Sequence, residues 1–290
     1  MALDPTAHFV YEETMKAKLI AQSYHSVKGG VGRSALANRA AVMLAAEVPG
    51  RSVYVIDTDF FGTSRADSGS LRAPRWSASD TVRPATLLAA PDSFYSPEET
   101  TRRVTLRHQT RRGLKDDIVV PFLDDYILFQ TKDWDKDVHV SAIAWHAAGS
   151  SPNLRVIPSS ALPNDLRWME PIVADERHAA FIESRMEHLL AAILELHPGR
   201  ETCVVFDCPR GFHGVSHAIL SIGLRLSEKP MQHLSDDGGT PLALVDADVN
   251  WKIRVVVGED TADRAAVARW SELAENDAIE VVDSYRKGAS

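Results

Sequence analysis

Apolar and polar positions along the chain follow two different periods. Val53-Tyr54-Val55-Ile56 is a continuous apolar run. Such a run leaves no face to water and predicts a strand covered on both sides, as in a parallel sheet. Strand-like runs also occupy Leu19 to Tyr24, Leu154 to Ile157, Thr202 to Phe206, Lys252 to Val257 and Ile279 to Val282. Between them the spacing turns helical. Ala35 to Ala46 is an alanine-rich helix that Pro49-Gly50 stops. In Asp175 to His197, residues Phe181, Ile182, Met186, Leu189, Leu190, Ile193, Leu194 and Leu196 recur near helical spacing, and Pro198-Gly199 follows. Asp260 to Glu275 carries a stripe of Ala265, Val267, Ala268, Trp270 and Leu273. Ala7 to Lys18 reads as a short helix of mixed polarity, and Leu234 to Thr240 as a loop. Strands alternating with helices predict an α/β fold, a mostly parallel central sheet flanked by helices. The segments Ile118 to Phe122, Asp124 to Leu128 and Thr131 to Asp137 mix apolar and charged residues and predict a small hairpin or lid.

Length and charge narrow this picture. With 290 residues, the chain fits one large α/β domain with an insertion better than two equal domains. We divide it into an N-terminal extension, 1–18, and one domain, 19–290, with a divergent insertion at about 62–151. A 44% hydrophobic and 25% charged composition supports a packed core. The net charge of -8 argues against wholesale attraction to nucleic acid or anionic membrane. One segment runs against that balance: from Phe60 to Lys115 there are ten Lys and Arg against five Asp and Glu. It could face nucleic acid, an acidic protein or nucleotide phosphate; few aromatics interleave for base stacking, so a solvated face is favoured. From Asp236 to Asp283 the balance reverses, with twelve Asp and Glu against four Lys and Arg. Cys203 and Cys208 sit at an odd spacing on one strand, on opposite faces, and read as two buried thiols. Neither a signal segment nor an apolar run of membrane-spanning length occurs, so a soluble cytoplasmic protein is expected.

Candidate chemistry concentrates at three strand exits. The first is Ser26-Val27-Lys28-Gly29-Gly30-Val31-Gly32-Arg33-Ser34, between a strand and a helix. Bare backbone amides and a helix N-terminus together suit phosphate oxygens, and the glycines let the backbone approach a ligand. Ser34 offers a hydroxyl where such loops hold Mg²⁺. The second exit is Asp57-Thr58-Asp59-Phe60-Phe61-Gly62, and the third is Asp207-Cys208-Pro209-Arg210-Gly211. Both place carboxylates at the carboxyl ends of strands, where open α/β sheets bind ligands. His213 and His217 are four apart, but no Glu takes the zinc-protease position and Gly214 weakens the helix.

Lys-Gly-Gly-Val-Gly-Arg-Ser, followed by Asp-x-Asp and then Asp-x-Pro-x-Gly, resembles the ParA/MinD family of P-loop ATPases with a deviant Walker A loop. The resemblance covers roughly Lys18 to Ser70 and Asn153 to Leu226, including the Ile-Pro-Ser strand end at Ile157 to Ser159 and the helix after it. It implies a P-loop NTPase fold and an ATP- and Mg²⁺-dependent switch that closes as a homodimer. In it Lys28 crosses to the partner's phosphates, and Gly29, Gly30, Val31, Gly32, Arg33, Ser34 and Ala35 hold the chain's own nucleotide. Ser34, Asp57 and Asp207 attend the metal, Asp59 positions the attacking water, and Gly211 to Gly214 form a second switch. A protein cargo or stimulating partner is implied; nucleic acid through 65–115 is not favoured, and no membrane is expected. Two departures stand out. Arg33 replaces the usual second lysine, and a forked guanidinium does not substitute conservatively for an ammonium in a tight cradle. Phe60-Phe61 replaces the usual Pro-Gln, and the base-contacting Asn has no match beyond Asp283 or Ser284. A slow ATPase and a hydrolysis-deficient nucleotide-binding adaptor are both compatible with these residues. A bacterial tyrosine kinase of related loop pattern would need a C-terminal tyrosine cluster, and Tyr285 stands alone.

Overall fold

The computed structural model describes residues 16–60, 71–72, 122–129, 140–147, 150–160, 163–212, 214–227, 240–259, 264–268 and 278–283. The strands are β1 (Lys18–Ser26), β2 (Ser52–Asp57), β3 (Leu71–Arg72), β4 (Trp145–Ala147), β5 (Leu154–Ile157), β6 (Glu201–Arg210), β7 (Asp248–Val257) and β8 (Ile279–Asp283). Helices α1 (Arg33–Glu47), α2 (Leu123–Phe129), α3 (Val140–Ile143), α4 (Pro163–Ala174), α5 (Ala179–Glu195), α6 (Val215–Ser227) and α7 (Leu242–Val245) lie between them. A single sheet of order β3-β4-β5-β2-β6-β1-β7-β8 results. It is parallel from β5 to β8; only β3–β4 and β4–β5 pair antiparallel. The architecture is the expected α/β class, a mostly parallel sheet flanked by helices.

Side-chain alternation along the strands builds a core on each face. On one side Ala37, Ala41, Leu44 and Ala45 of α1 pack on Val53, Val55, Cys203 and Val205. Alanines suit this contact because they let the helix lie close to the β-branched surface. The other side is thicker: α2 to α7 cover Ile56, Val204, Phe206 and Cys208 with large residues such as Met186, Leu190, Ile219 and Ile222. Phe206 stacks on Trp251, ring centroids 5.5 Å apart, and the Trp251 indole N–H donates to Ser23 Oγ at 3.1 Å. The two cysteines divide as their spacing requires: both are buried and unbridged, Cys203 toward α1 and Cys208 toward the thicker layer.

Three expectations change. Asp124 to Leu128 belongs to helix α2, not to a hairpin or lid, and Leu123, Tyr126, Ile127 and Leu128 are fully buried. Its acids are structural: Asp125 accepts from the Phe122 N–H at 2.8 Å, and Asp124 accepts from the Ser160 N–H at 3.0 Å. Mixed polarity there reflects carboxylates that bind backbone amides, which local alternation cannot distinguish from a solvated ribbon. The long helix begins later than Asp175: a 3₁₀ turn, Glu176–His178, precedes α5. The helix expected over Asp260 to Glu275 is described only at 264–268, which is helical. The helix expected over Ala7 to Lys18 does not reach its end, since Lys16 and Ala17 are not helical and Lys18 opens β1; the rest of it, 118–121 and 131–137, most of the basic stretch 65–115, the loop before Thr240, His213, Ser284 and Tyr285 lie outside the described residues.

Candidate functional site

The connection from β1 through α1 to β2 runs over one face, whereas β6 through α6 to β7 runs over the other. Both connections leave the carboxyl edge, and β1 and β6 are neighbours. A crevice must open where they part. A cavity of about 500 Å³ lies there, lined by Gly29, Gly30, Arg33 and Ser34 from the first exit, Asp59 from the second and Arg210 from the third. Its size is that of a small-ligand site.

The loop after β1 turns into α1 through left-handed backbone, with φ of 78° at Gly30 and 80° at Gly32. A Cβ built at Gly30 meets nothing within 4 Å, so this part of the cradle is open. Gly32 caps α1, no side chain bonds to the helix start, and no acidic residue stands in its first turn. The amide-rich N-terminus therefore keeps its affinity for an anion. Lys28 is exposed on the loop, and Ser34 and Ala35 are exposed at the helix start.

Strand register brings the carboxylates in. Asp57 and Asp207 are direct partners across β2 and β6, and each is 2% exposed. Asp59 follows on a short turn: its N–H donates to Asp57 Oδ1 at 3.2 Å, and Phe60 N–H donates to Thr58 O at 3.0 Å. The Thr58 hydroxyl and amide both donate to Asp207 O, at 2.9 and 3.0 Å, tying the second exit to the third. Phe60, where the family pattern has proline, is buried in the main core and anchors the turn.

Arg33 is the centre of the arrangement. Its Nε donates to Asp207 Oδ1 at 3.1 Å, one terminal nitrogen to Ser26 Oγ at 2.9 Å, and the other to Asp59 Oδ2 at 3.0 Å. The side chain is 8% exposed, Asp207 2% and Asp59 27%, so this is a largely desolvated ion-pair network. A lysine has one nitrogen and could not span the three acceptors; the planar fork can. Of the two carboxylates that the resemblance assigns to magnesium, Asp207 thus already faces a cation, while Asp57 accepts from the Asp59 N–H. Among the described residues no three His, Cys, Asp or Glu side chains group as a metal site. In this arrangement the donor set does not fit a magnesium ion, because Asp207 directs an oxygen at a guanidinium. His217 is exposed on α6, and the described residues give it no metal-binding companion.

Ser26, Thr58, Arg210 and His25 were not nominated from the sequence. Ser26 and Thr58 give no signal beyond lying at strand exits. Arg210 follows the Asp-x-Pro turn, lines the cavity and runs its stem beside Gly29, where a Cβ would meet Arg210 Cδ at 3.8 Å. His25 points to the opposite face. Its Nδ1 lies 2.9 Å from Ser216 Oγ, its Nε2 lies 3.8 Å from Cys208 Sγ, and its ring stacks on Phe212. Burial first, then the positive charge of Arg33, pushes its pKa down to about 3, so the ring is neutral. Burial likewise pushes the Cys208 thiol far up, so it stays protonated.

The chain's structural neighbours are ParA- and MinD-type ATPases. A ParA family ATPase from Chlorobium tepidum TLS superposes with a TM-score of 0.46 at 13% identity, covering 91% of this chain and 72% of that one. A plasmid partition protein from Borrelia burgdorferi gives 0.42 at 13% identity, covering 94% and 81%. An ATP complex of Cyanothece McdA gives 0.41 at 16% identity, covering 92% and 83%. No protein-family model matches the chain, and no curated protein matches it.

Proposed function

We propose that the chain binds ATP in the crevice between β1 and β6 and works as a ParA/MinD-like switch that positions or regulates a partner. The observation that carries this reading is the cavity itself: an uncapped helix start, an open glycine turn and two arginines face one space of about 500 Å³. Amides of residues Gly29 to Ala35 would hold the phosphates, with Arg33 and Arg210 as counter-charges. Two copies would close face to face over the nucleotide, each exposed Lys28 reaching toward the other's phosphates, where a bridging cation stabilises developing negative charge.

A second reading, a nucleotide-binding adaptor that does not hydrolyse, is favoured by one observation. Asp59, the residue that would orient water, is engaged by Arg33 at 3.0 Å. A carboxylate held in an ion pair is a poor partner for water. Turnover and ATP affinity of the native chain, Arg33→Lys and Asp59→Ala separate the readings. The switch predicts ATP binding in all three, with turnover preserved or raised in Arg33→Lys. Binding with no turnover in any form favours the adaptor, and no binding at all removes both. Sedimentation with and without ATP tests the dimer: an ATP-driven dimer unaffected by Lys28→Ala would show that the lysine does not cross.

A further inference from the structure

We propose that this site binds its nucleotide without a divalent metal ion, the Arg33 guanidinium serving as the resident cation between Asp207 and Asp59. The inference rests on the nucleotide reading above and specifies its ionic requirement.

A magnesium ion in a nucleotide site takes near-octahedral oxygen ligands, drawn from phosphates, waters and one or two carboxylates. Here two of the three carboxylates at the strand exits, Asp207 and Asp59, are paired with the guanidinium. Arg33 bonds Asp207 at 3.1 Å and Asp59 at 3.0 Å, and Ser26 Oγ, at 2.9 Å, holds the fork from a third direction. The three acceptors come from three separate strand exits, β1, β2 and β6, so the guanidinium is placed by the fold rather than by a mobile loop. Asp207 and the Arg33 side chain are nearly closed to water, at 2% and 8%. Guanidinium cannot lose its proton in a protein, so its charge persists at every working pH. A divalent ion entering beside it would meet that charge at short range and would have to displace it from Asp207. Arg33 nevertheless lines the cavity. The three bonds use one N–H on each nitrogen, and a guanidinium has a second N–H on each terminal nitrogen. The same group can therefore neutralise the acids and present donors to a phosphate. Lysine, the usual residue at this position, brings three donors on one nitrogen in place of a planar fork. Arg210 adds a second fixed positive charge to the lining.

The test is ATP affinity of the full chain, measured by calorimetry in excess Mg²⁺ and again in EDTA. Metal-free binding predicts that ATP binds in EDTA at least as tightly as in Mg²⁺, because the counter-charge is covalent to the chain and Mg²⁺ competes for the free nucleotide. In Arg33→Lys, which keeps one charge but frees a carboxylate, the affinity in EDTA should fall more than about tenfold below that in Mg²⁺. A native chain that binds ATP in Mg²⁺ and loses about tenfold or more in EDTA overturns the proposal and leaves the nucleotide reading standing. Equal metal independence in native chain and Arg33→Lys overturns the role of Arg33. No binding in either buffer overturns the nucleotide reading, and this inference with it. Electron paramagnetic resonance with Mn²⁺ and ATP on the native chain needs no variant. Metal-free binding predicts that ATP taken up by the protein releases Mn²⁺ and raises the aquo-ion signal, and a protein-broadened signal would refute it.

Discussion

Ser26 and His25 are neighbours on β1, and they head two buried polar clusters that solve the same electrostatic problem in opposite ways. On the α1 face, Ser26, Asp207 and Asp59 converge on the Arg33 guanidinium and are held by ion pairing and hydrogen bonds. On the α6 face, His25, Ser216 and Cys208 stay neutral and are held by burial. One residue step along a strand reverses the side-chain direction, so the sheet separates them. Arg33 acts on both, since its charge also helps keep His25 unprotonated. The difference teaches where anion binding belongs. A fixed positive group borders the open cavity, whereas the neutral cluster packs into the hydrophobic layer.

Removing one partner from the charged side should have the largest effect. Asp207→Ala leaves a guanidinium buried without its most enclosed carboxylate, and urea unfolding should show a loss of about 3–5 kcal/mol. Replacing both groups, Arg33→Met with Asp207→Leu, should recover most of that loss while abolishing ATP binding; a double variant as weak as the single would mean that the pair is not the source. The neutral side breaks at its helix. Gly214 opens α6 with φ of 54°, and a Cβ there would lie 1.8 Å from Val173 O. Gly214→Ala should therefore cost about 3 kcal/mol through strain and displacement of Ser216's helix, read by the same unfolding curve.

Acid comes next. The folded pKa of His25, about 3, lies below its ordinary 6.5, so the unfolded chain takes up the proton first. The stability it contributes is complete above about pH 6.5 and is lost as pH falls toward 3; between pH 7 and 5 the loss should be about 2 kcal/mol. His25→Asn should flatten that slope, and an unchanged slope would assign acid sensitivity elsewhere. The smallest effect belongs to Asp59, whose side chain is 27% exposed. Asp59→Asn should cost about 1 kcal/mol or less, because water screens that half of the network.

The framework was readable in the chain because apolar runs and glycine exits obey local rules. Val53 to Ile56 has to be covered on both faces, and it is the core of β2. Gly29, Gly30, Arg33, Ser34 and Asp59 line one cavity, and Asp57 and Asp207 pair across β2 and β6. What stayed hidden depends on long-range pairing. Nothing local to Arg33 says that its fork closes on acids from two other exits, and nothing local to Asp124 or Asp125 says that backbone amides receive them in a buried helix. His25 looked like an ordinary strand residue because the groups it meets, Cys208, Phe212 and Ser216, are all distant in sequence.

The bond between Arg33 and Asp207 joins residues 174 positions apart. β1 likewise finds β6 only across most of the chain, and such distant parallel pairings form slowly. During synthesis the glycine turn and α1 emerge long before their acidic partners exist. A nascent chain therefore carries an unneutralised arginine at its future binding loop until β6 docks, and competence for ligand arrives together with closure of the sheet's centre.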